Sequence, residues 1–505
     1  MGPARGHRGE VAPAGEQIAR HGAVVPPGQD VDAGRDPPKG RFGKLFPGLL
    51  ACEASERAID EIVAWMASSV QERVANPRIP AGFTYLGQFI DHDITFDPMS
   101  TLNANVDVQS LVNFRSPRFD LDSVYGSGPV VQPYLYDWES EPAGVKLLVG
   151  KDQVDKDGKV HKVTDLPRNA QGRALIGDPR NDETAIIAQL HLLFIQLHNV
   201  VVDRLWRAGK VHKPDAVLKA ARQLVRWHYQ WIVVHEFIPA VVGEVMARDV
   251  LPESKDGSAQ EVRLKFFKWR RHPFIPVEFS GAAYRFGHSM VRSAYSLRRP
   301  PAGAGLTVAI DKGVPLFPNL AGFRWLSEDV IIEWDQFFDV DGAPFPQVSQ
   351  LIDTAIVGPL FKLPDAAADQ ESLPRRNLER GVRLRLPSGQ DVAAAMHETA
   401  LTEKELGLKD MPGSRKELKA AAPLWYYILC ETARATGPAP KKKKRSGRHL
   451  GPVGGRIVAE VLAGLLKGDR SSYLHSDPPW EPRELGTDGT FTMADVIEIA
   501  QGKRG

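Results

Sequence analysis

Cysteine is almost missing from this chain: 505 residues hold two, Cys52 and Cys430. Two can close at most one bridge, which excludes a disulfide-stapled scaffold. With no CxxC pair and no Cys/His cluster, a structural zinc site is excluded too. An excess of charge of one sign is also lacking. The 64 Lys+Arg face 62 Asp+Glu, for a formal net charge of +2, so no global field draws the chain to nucleic acid or to an anionic membrane. Long apolar runs are absent. The most apolar stretch, YQWIVVHEFIPAVVGEVM, is broken by His235, Glu236, Pro239 and Glu244, so no integral membrane segment is expected. The opening MGPARGHRGEVAPAGEQ has no apolar h-region, and Gly6 stands where a myristoylation pattern needs Ser or Thr. No signal peptide is read there, and a soluble chain is expected, cytoplasmic or secreted by a non-classical route. Strand-like alternation is scarce, and no repeat of 20–50 residues is visible.

Glycine and proline are abundant. Gly 45 and Pro 39 make up about one residue in six, against roughly 12% in an average protein, so long loops are expected. Residues 1–40 carry Gly, Pro, Ala and charge with almost no aliphatic pattern, which reads as a disordered or extended tail. Residues 41–505 read as one large, mainly α domain with long loops and little β. Apolar positions at helical spacing point to helices over 54–74, 183–205, 280–297 and 453–466, and to a long helix or broken pair over 214–250. The stretch 371–392 reads as turn-rich around Pro374 and Pro387, and KDQVDKDGKVHK as a polar loop or hairpin tip. A basic insertion, 436–450, contains KKKKR between Gly/Pro-rich flanks. It reads as a solvated loop rather than a nucleic-acid tract.

Four strings carry chemistry. In Gly87-Gln88-Phe89-Ile90-Asp91-His92-Asp93, a helix would turn each successive side chain by about 100°, so Asp91, His92 and Asp93 would serve three different neighbours. Ser116 to Gly126 places oxygen donors at alternate positions, which suits either a hard cation or a turn. Gly177-Asp178-Pro179-Arg180-Asn181-Asp182-Glu183 opens a long helix in which His191 and His198 share one face, as ligands or as satisfied core residues. In Tyr284-Arg285-Phe286-Gly287-His288, His288 reads as a core residue or as an axial ligand. In the second case Gly287 lets something flat approach the backbone.

The order of these strings, GQFIDHD, DLDSVYG, GDPRNDE…LHLLFIQLHN, YRFGH and then LPRRNLERG, resembles the animal-type haem peroxidases of the peroxidase–cyclooxygenase superfamily. The ending LGPVGGRIVAEVLAGLL looks like that of bacterial members, and the resemblance covers roughly residues 41–500. It implies haem b, or haem joined through esters, together with Ca²⁺. It implies a reaction between hydrogen peroxide and small reducing donors, and it leaves the oligomeric state open. By the same resemblance His92 is the distal histidine, Gln88 the distal glutamine and Arg180 the distal arginine. His288 is the proximal ligand of the haem iron, and Asn377 accepts its ring N–H. Arg285 and Arg380 face the propionates, and Asp91 and Glu183 stand at the ester positions. Asp93, Ser116, Arg118, Asp120 and Asp122 match the calcium site, Arg118 through its carbonyl in place of a small or apolar residue.

His92 is expected near its ordinary pKa of about 6.5, ready to take a proton and return it, with Arg180 as a fixed positive charge. Thr184 stands where a chloride-oxidising mammalian member carries methionine, so the implied donors are phenols, bromide, iodide or thiocyanate. An alternative within the superfamily is a fatty-acid dioxygenase or cyclooxygenase-like enzyme, which uses a tyrosine three residues before the proximal histidine. Arg285 holds that place here, with Tyr284 one position earlier. A catalytically silent haem-fold or calcium-binding module is a third reading, disfavoured because Gln88, His92, Arg180 and His288 are all retained.

Overall fold

The structure is a computed structural model that describes residues 37, 40–68, 74–96, 112–210, 212–252, 260–299, 313–340, 346–364, 366, 371–433 and 447–504. Most of the 1–40 tail, most of the 436–450 insertion with its KKKKR, and the loop after Phe96 lie outside the described residues.

Helix α1, Glu56–Ala67, starts where the Ser55 side chain accepts from Ala58 N, and it buries Ala58, Ile59, Ile62 and Met66. It stops short of the expected residue 74. Residues Ala75–Pro80 instead form a strand antiparallel to Val348–Gln350, as Pro77 favours by disallowing a helical Asn76. Helix α2, Gly82–Ile94, follows at once. A Cβ at Gly82 would lie 2.5 Å from the Phe338 ring, so only glycine lets α2 begin there.

Helix α3, Ala185–Arg207, is capped by the Thr184 side chain and buries most of its length. Among the described residues it is the one helix long and apolar enough to cross a membrane by composition, yet 83% of its apolar window lies inside the protein. It is the central core helix, packed on α2, on α4 (Pro214–Ile232) and on α8 (Met493–Ala500). The reading of 214–250 as a broken pair holds: α4 runs through a π-helical turn, Val233–Phe237, into Ile238–Val242. Gly243 (φ 81°) then breaks the chain before Glu244–Val250.

Two expectations fail here. The expected helix over 280–297 is three short pieces, Val277–Gly281, Ala283–Phe286 and Gly287–Met290, and residues Ala294–Tyr295 form a strand. Tertiary bonds replace the missing helical ones, with Arg285 Nε donating to Ser280 O at 2.8 Å and Trp425 Nε1 to Arg285 O at 3.2 Å. Conversely, the stretch expected to be turns contains helix α5, Leu373–Arg383, capped by Ser372. Pro374 falls in its first turn, where a proline costs no hydrogen bond. Helices α6 (Leu424–Thr432) and α7 (Pro452–Gly468) complete the frame. Of the described residues, 45% are helical, and the strands are few and short. One of those is the expected hairpin, Gln153–Val154 against Val160–His161. Both cysteines are buried and free.

The π turn carries a buried acid. Glu236 accepts from Met493 N at 2.9 Å, pinning the start of α8, and burial, with Asp495 adding to it, pushes its carboxyl up to about 7. A carboxyl whose folded pKa lies above its unfolded value favours folding fully at low pH, and that contribution is lost as pH rises toward 7. Glu236→Gln keeps an acceptor for Met493 N without the charge. It is expected to stabilise the protein by about 1–3 kcal/mol at pH 8 and by nearly nothing at pH 4.5. Thermal unfolding at the two pH values reads this, and an equal or opposite shift at both contradicts it.

Candidate active site

Helix α2 sends its three consecutive polar residues three ways. The Asp91 carboxylate accepts from the Thr95 hydroxyl at 3.1 Å. His92 turns its Nδ1 to Asn181 Oδ1 at 2.8 Å. Asp93 faces the opposite way, toward Asp120 and Asp122. His92 is 5% exposed, and burial together with Arg180 pushes its imidazole down to about 4. The expectation of an ordinary histidine pKa is therefore corrected: desolvation makes this ring a neutral base. Its Nε2 makes no hydrogen bond among the described residues, and it is not sealed as His191 Nε2 is.

The turn Pro179–Asp182 faces α2. Arg180 donates from Nε to Asp178 at 3.1 Å and from Nη2 to Asp178 at 2.8 Å, to the His92 carbonyl at 3.2 Å and to the Thr95 carbonyl. Its guanidinium lies 4.8 Å over the Phe96 ring. Despite burial, Arg180 and Arg115 hold the Asp178 carboxyl well below the usual carboxylate range. Asp182 is clamped by Arg168 at 2.7 Å, and Arg168 also holds Asp165 at 2.7 Å. Glu183 accepts from Gln88 Nε2 at 3.2 Å. Its residue surface is exposed, yet surrounding protein pushes the carboxyl up to about 7 and places it within electrostatic reach of Arg180, Asp178, Asp91 and Arg285. His198 is a satisfied core residue, bonded to the Tyr125 hydroxyl at 3.1 Å and the Val145 carbonyl at 3.0 Å.

The second group comes from the broken segment and α5. His288 Nδ1 meets the Asn377 amide Nδ2 at 2.8 Å. The two residues expected to pair are together, with the amide end for end from the expected sense. Oxygen and nitrogen of an amide are isosteric, so a half-turn presents Oδ1 to a ring N–H. His288 is half-buried, and burial with Arg285, Arg380 and Arg376 drives its pKa down to about 3. A Cβ at the neighbouring Gly287 would meet nothing within 4 Å. Space beside a desolvated imidazole, under three guanidiniums, fits a flat dianionic group such as haem with its two propionates. The sequence reading missed Arg376, because 371–392 was read as turns. On a helix it flanks Asn377, with Glu183 as its favourable neighbour and Arg285 as an unfavourable one.

Asp93, Asp120 and Asp122 place carboxylate oxygens within 4.8 Å of one another. Ser116 donates to Asp120 at 2.7 Å, and Arg115 reaches Asp122 at 3.3 Å. Burial raises all three acids, and repulsion from Asp120 adds to it at Asp93 and at Asp122, which is pushed up to about 7. Crowded oxygens of this kind suit a divalent cation. The Arg118 side chain points away, 3.9 Å from Asp469, which leaves only its carbonyl as a donor. Arg115, which sequence reasoning also missed, ties this cluster to Asp178 at 2.8 Å and so to Arg180.

Residues 104–307 match the model of the animal haem peroxidase family. The chain is 25% identical over 489 residues to a peroxidase-like protein of Margaritifera margaritifera, covering 82% of this chain and 58% of that one. It is 26% identical over 260 residues to thyroid peroxidase of Homo sapiens, covering 48% of this chain and 24% of that one. The chain thus spans little more than half the length of the first relative and about a quarter of the second. Among solved structures, peroxidase A of Dictyostelium discoideum superposes with a TM-score of 0.65 at 15% identity, covering 91% of this chain and 92% of that one. The Oryza sativa fatty acid alpha-dioxygenase gives 0.57 at 14% identity, covering 88% and 78%. The chain is thus similar to the animal haem peroxidase family over residues 104–307 and shares the helical fold of these solved structures.

Proposed function

We propose that this chain is a haem-dependent peroxidase that reduces hydrogen peroxide and oxidises small donors such as phenols, bromide, iodide or thiocyanate. The observation that carries the reading is the convergence at Glu183. Its carboxyl is bonded to Gln88 of the His92 helix and lies within electrostatic reach of Arg285 on the His288 segment, and the helix Gly82–Ile94 packs against Gly287–Met290. When bound, haem supplies an iron that takes up peroxide and holds two oxidising equivalents for donors.

The chain supplies the rest. His288, oriented by Asn377, would hold the haem iron through a ring nitrogen, and Arg285, Arg376 and Arg380 would meet the propionates. His92 accepts a proton from peroxide at Nε2 and returns it to the departing oxygen. Arg180 contributes fixed positive charge from a position locked by Asp178, and Gln88 adds a polar contact beside His92. Asp91 and Glu183 would be the carboxylates available for ester links to haem. Asp93, Asp120 and Asp122, with Ser116 and the Arg118 carbonyl, hold Ca²⁺, which fixes the end of α2 and with it His92.

A fatty-acid dioxygenase is the second reading. It is favoured by the Oryza sativa neighbour and by Tyr284, which is buried beside Gly87 of α2 with an unbonded hydroxyl. One experiment separates the two. The haem-loaded protein is expected to show a Soret band and to turn over peroxide with a phenolic donor. Oxygen uptake with a fatty acid, without peroxide-driven donor oxidation, would overturn the peroxidase reading.

A further inference from the structure

We propose that Asn181 and His191 form a buried relay that fixes the orientation and the tautomer of His92; the inference rests on the peroxidase reading above. Asn181 lies between two imidazoles. Its Oδ1 is 2.8 Å from His92 Nδ1, and its Nδ2 is 2.9 Å from His191 Nδ1. Asn181 and His191 are both fully buried, so no water competes for these atoms.

A neutral imidazole has one donor and one acceptor nitrogen. Both rings are buried, which disfavours the charged form. An amide oxygen facing His92 Nδ1 requires the proton to sit there, which leaves the lone pair on Nε2, the nitrogen that points away from Asn181. The amide nitrogen facing His191 Nδ1 requires a lone pair there, so His191 carries its proton on Nε2. The amide cannot serve one ring without constraining the other. Were it reversed, His92 would carry its proton on Nε2 and could not act as a base.

The surroundings hold this arrangement. Asn181 sits on the turn Pro179–Asp182, between Asp178, which accepts from Arg180 N at 2.9 Å, and Asp182, which is clamped by Arg168. His191 sits on α3 edge-to-face with Phe89, centroids 6.1 Å apart and planes at 75°, and Phe89 stacks on Phe194 at 4.7 Å. His191 Nε2 is sealed without a hydrogen-bond partner, and the neighbouring aromatic face is a weak acceptor for its N–H. A carboxylate in place of Asn181 would present acceptors to both rings and so would move the His191 proton from Nε2 to Nδ1. Asn181 and His191 touch no reacting atom in this scheme; they are positioning residues.

The test uses the haem-loaded protein with Asn181→Leu, Asn181→Asp, His191→Phe and, as a reference, His92→Ala. Two readouts are taken: donor turnover with peroxide, and the rate at which hydrogen cyanide binds the haem iron, followed in the Soret band. Hydrogen cyanide must surrender its proton to a base in the pocket, so it reports His92 without any donor chemistry. Asn181→Leu is expected to slow both by about 10²-fold or more with unchanged haem content. Asn181→Asp keeps an acceptor for His92 Nδ1 and should recover to within about tenfold, while His191→Phe should cost roughly tenfold, as loss of an outer supporting contact does. Wild-type rates in Asn181→Leu overturn the relay while leaving the peroxidase reading intact, provided that His92→Ala has lost both. Wild-type rates in His92→Ala overturn the reading itself. Should Asn181→Leu fail to hold haem, His191→Phe decides: a cyanide rate equal to wild type overturns the relay.

Discussion

His288→Ala is expected to leave a folded chain that no longer shows the Soret band of a five- or six-coordinate histidine-ligated haem, and whose haem affinity falls by more than 100-fold. The fold should survive because the ring is not a core plug. His288 is half-buried, Gly287 beside it opens on space, and its polar partner is the single Asn377 amide. Removing the ring strands that amide, at about 1–3 kcal/mol, which a chain with so large a continuous core can absorb. The haem would keep only its propionate contacts with Arg285, Arg376 and Arg380 and its apolar walls. Loss of an outer support such as Asn377 costs roughly 10–100-fold in affinity, and loss of the ligand itself must exceed that. Haem titration measures the affinity, and added imidazole should enter the vacated space and restore the band. A His288→Ala protein with wild-type affinity and spectrum would place the axial ligand elsewhere.

How much of this was legible beforehand follows from which interactions are local. The three-way divergence of Asp91, His92 and Asp93 was readable because helical geometry alone dictates it, and α2 obeys it. The long core helix was readable because Ile187, Leu190, Phe194, Leu197 and Val201 repeat at helical spacing, and all are buried. The segment around His288 was misread as a continuous helix. Its apolar residues satisfy helical spacing, but long-range bonds such as Trp425 Nε1 to the Arg285 carbonyl hold it in pieces. The helix carrying Asn377 was misread in the other direction, because Pro374 weighs as a breaker unless it is recognised as sitting in a first turn. That error hid Arg376. Arg115 and Asn181 were invisible for another reason. Each acts through a partner distant in sequence, such as Asp178, 63 positions from Arg115, or His92, 89 from Asn181, and nothing local marks them.

His92→Ala is the change expected to cost most in the chemical step, about 10²–10⁴-fold in the second-order reaction with peroxide, or roughly 3–5 kcal/mol of barrier. The argument is one of elimination among buried imidazoles. His198 spends both ring nitrogens on Tyr125 and the Val145 carbonyl. His191 spends Nδ1 on Asn181 and has its other nitrogen sealed. His228 bonds the Leu224 carbonyl through Nδ1 and has its Nε2 sealed. His92 alone of the four ties one nitrogen to the protein and keeps an unsealed one. Haem binding should be unaffected, because His92 lies on α2 whereas the proposed ligand and propionate contacts come from the His288 segment and α5. Rapid-mixing kinetics with peroxide, set against an unchanged Soret band, isolates the effect. A variant that loses haem along with the rate would assign His92 to cofactor retention, and one that keeps its rate would leave the pocket without an identified base. Because Arg180 bonds the His92 carbonyl and not its ring, the substitution leaves that guanidinium in place. The residual rate over free haem then measures what fixed charge contributes without a base.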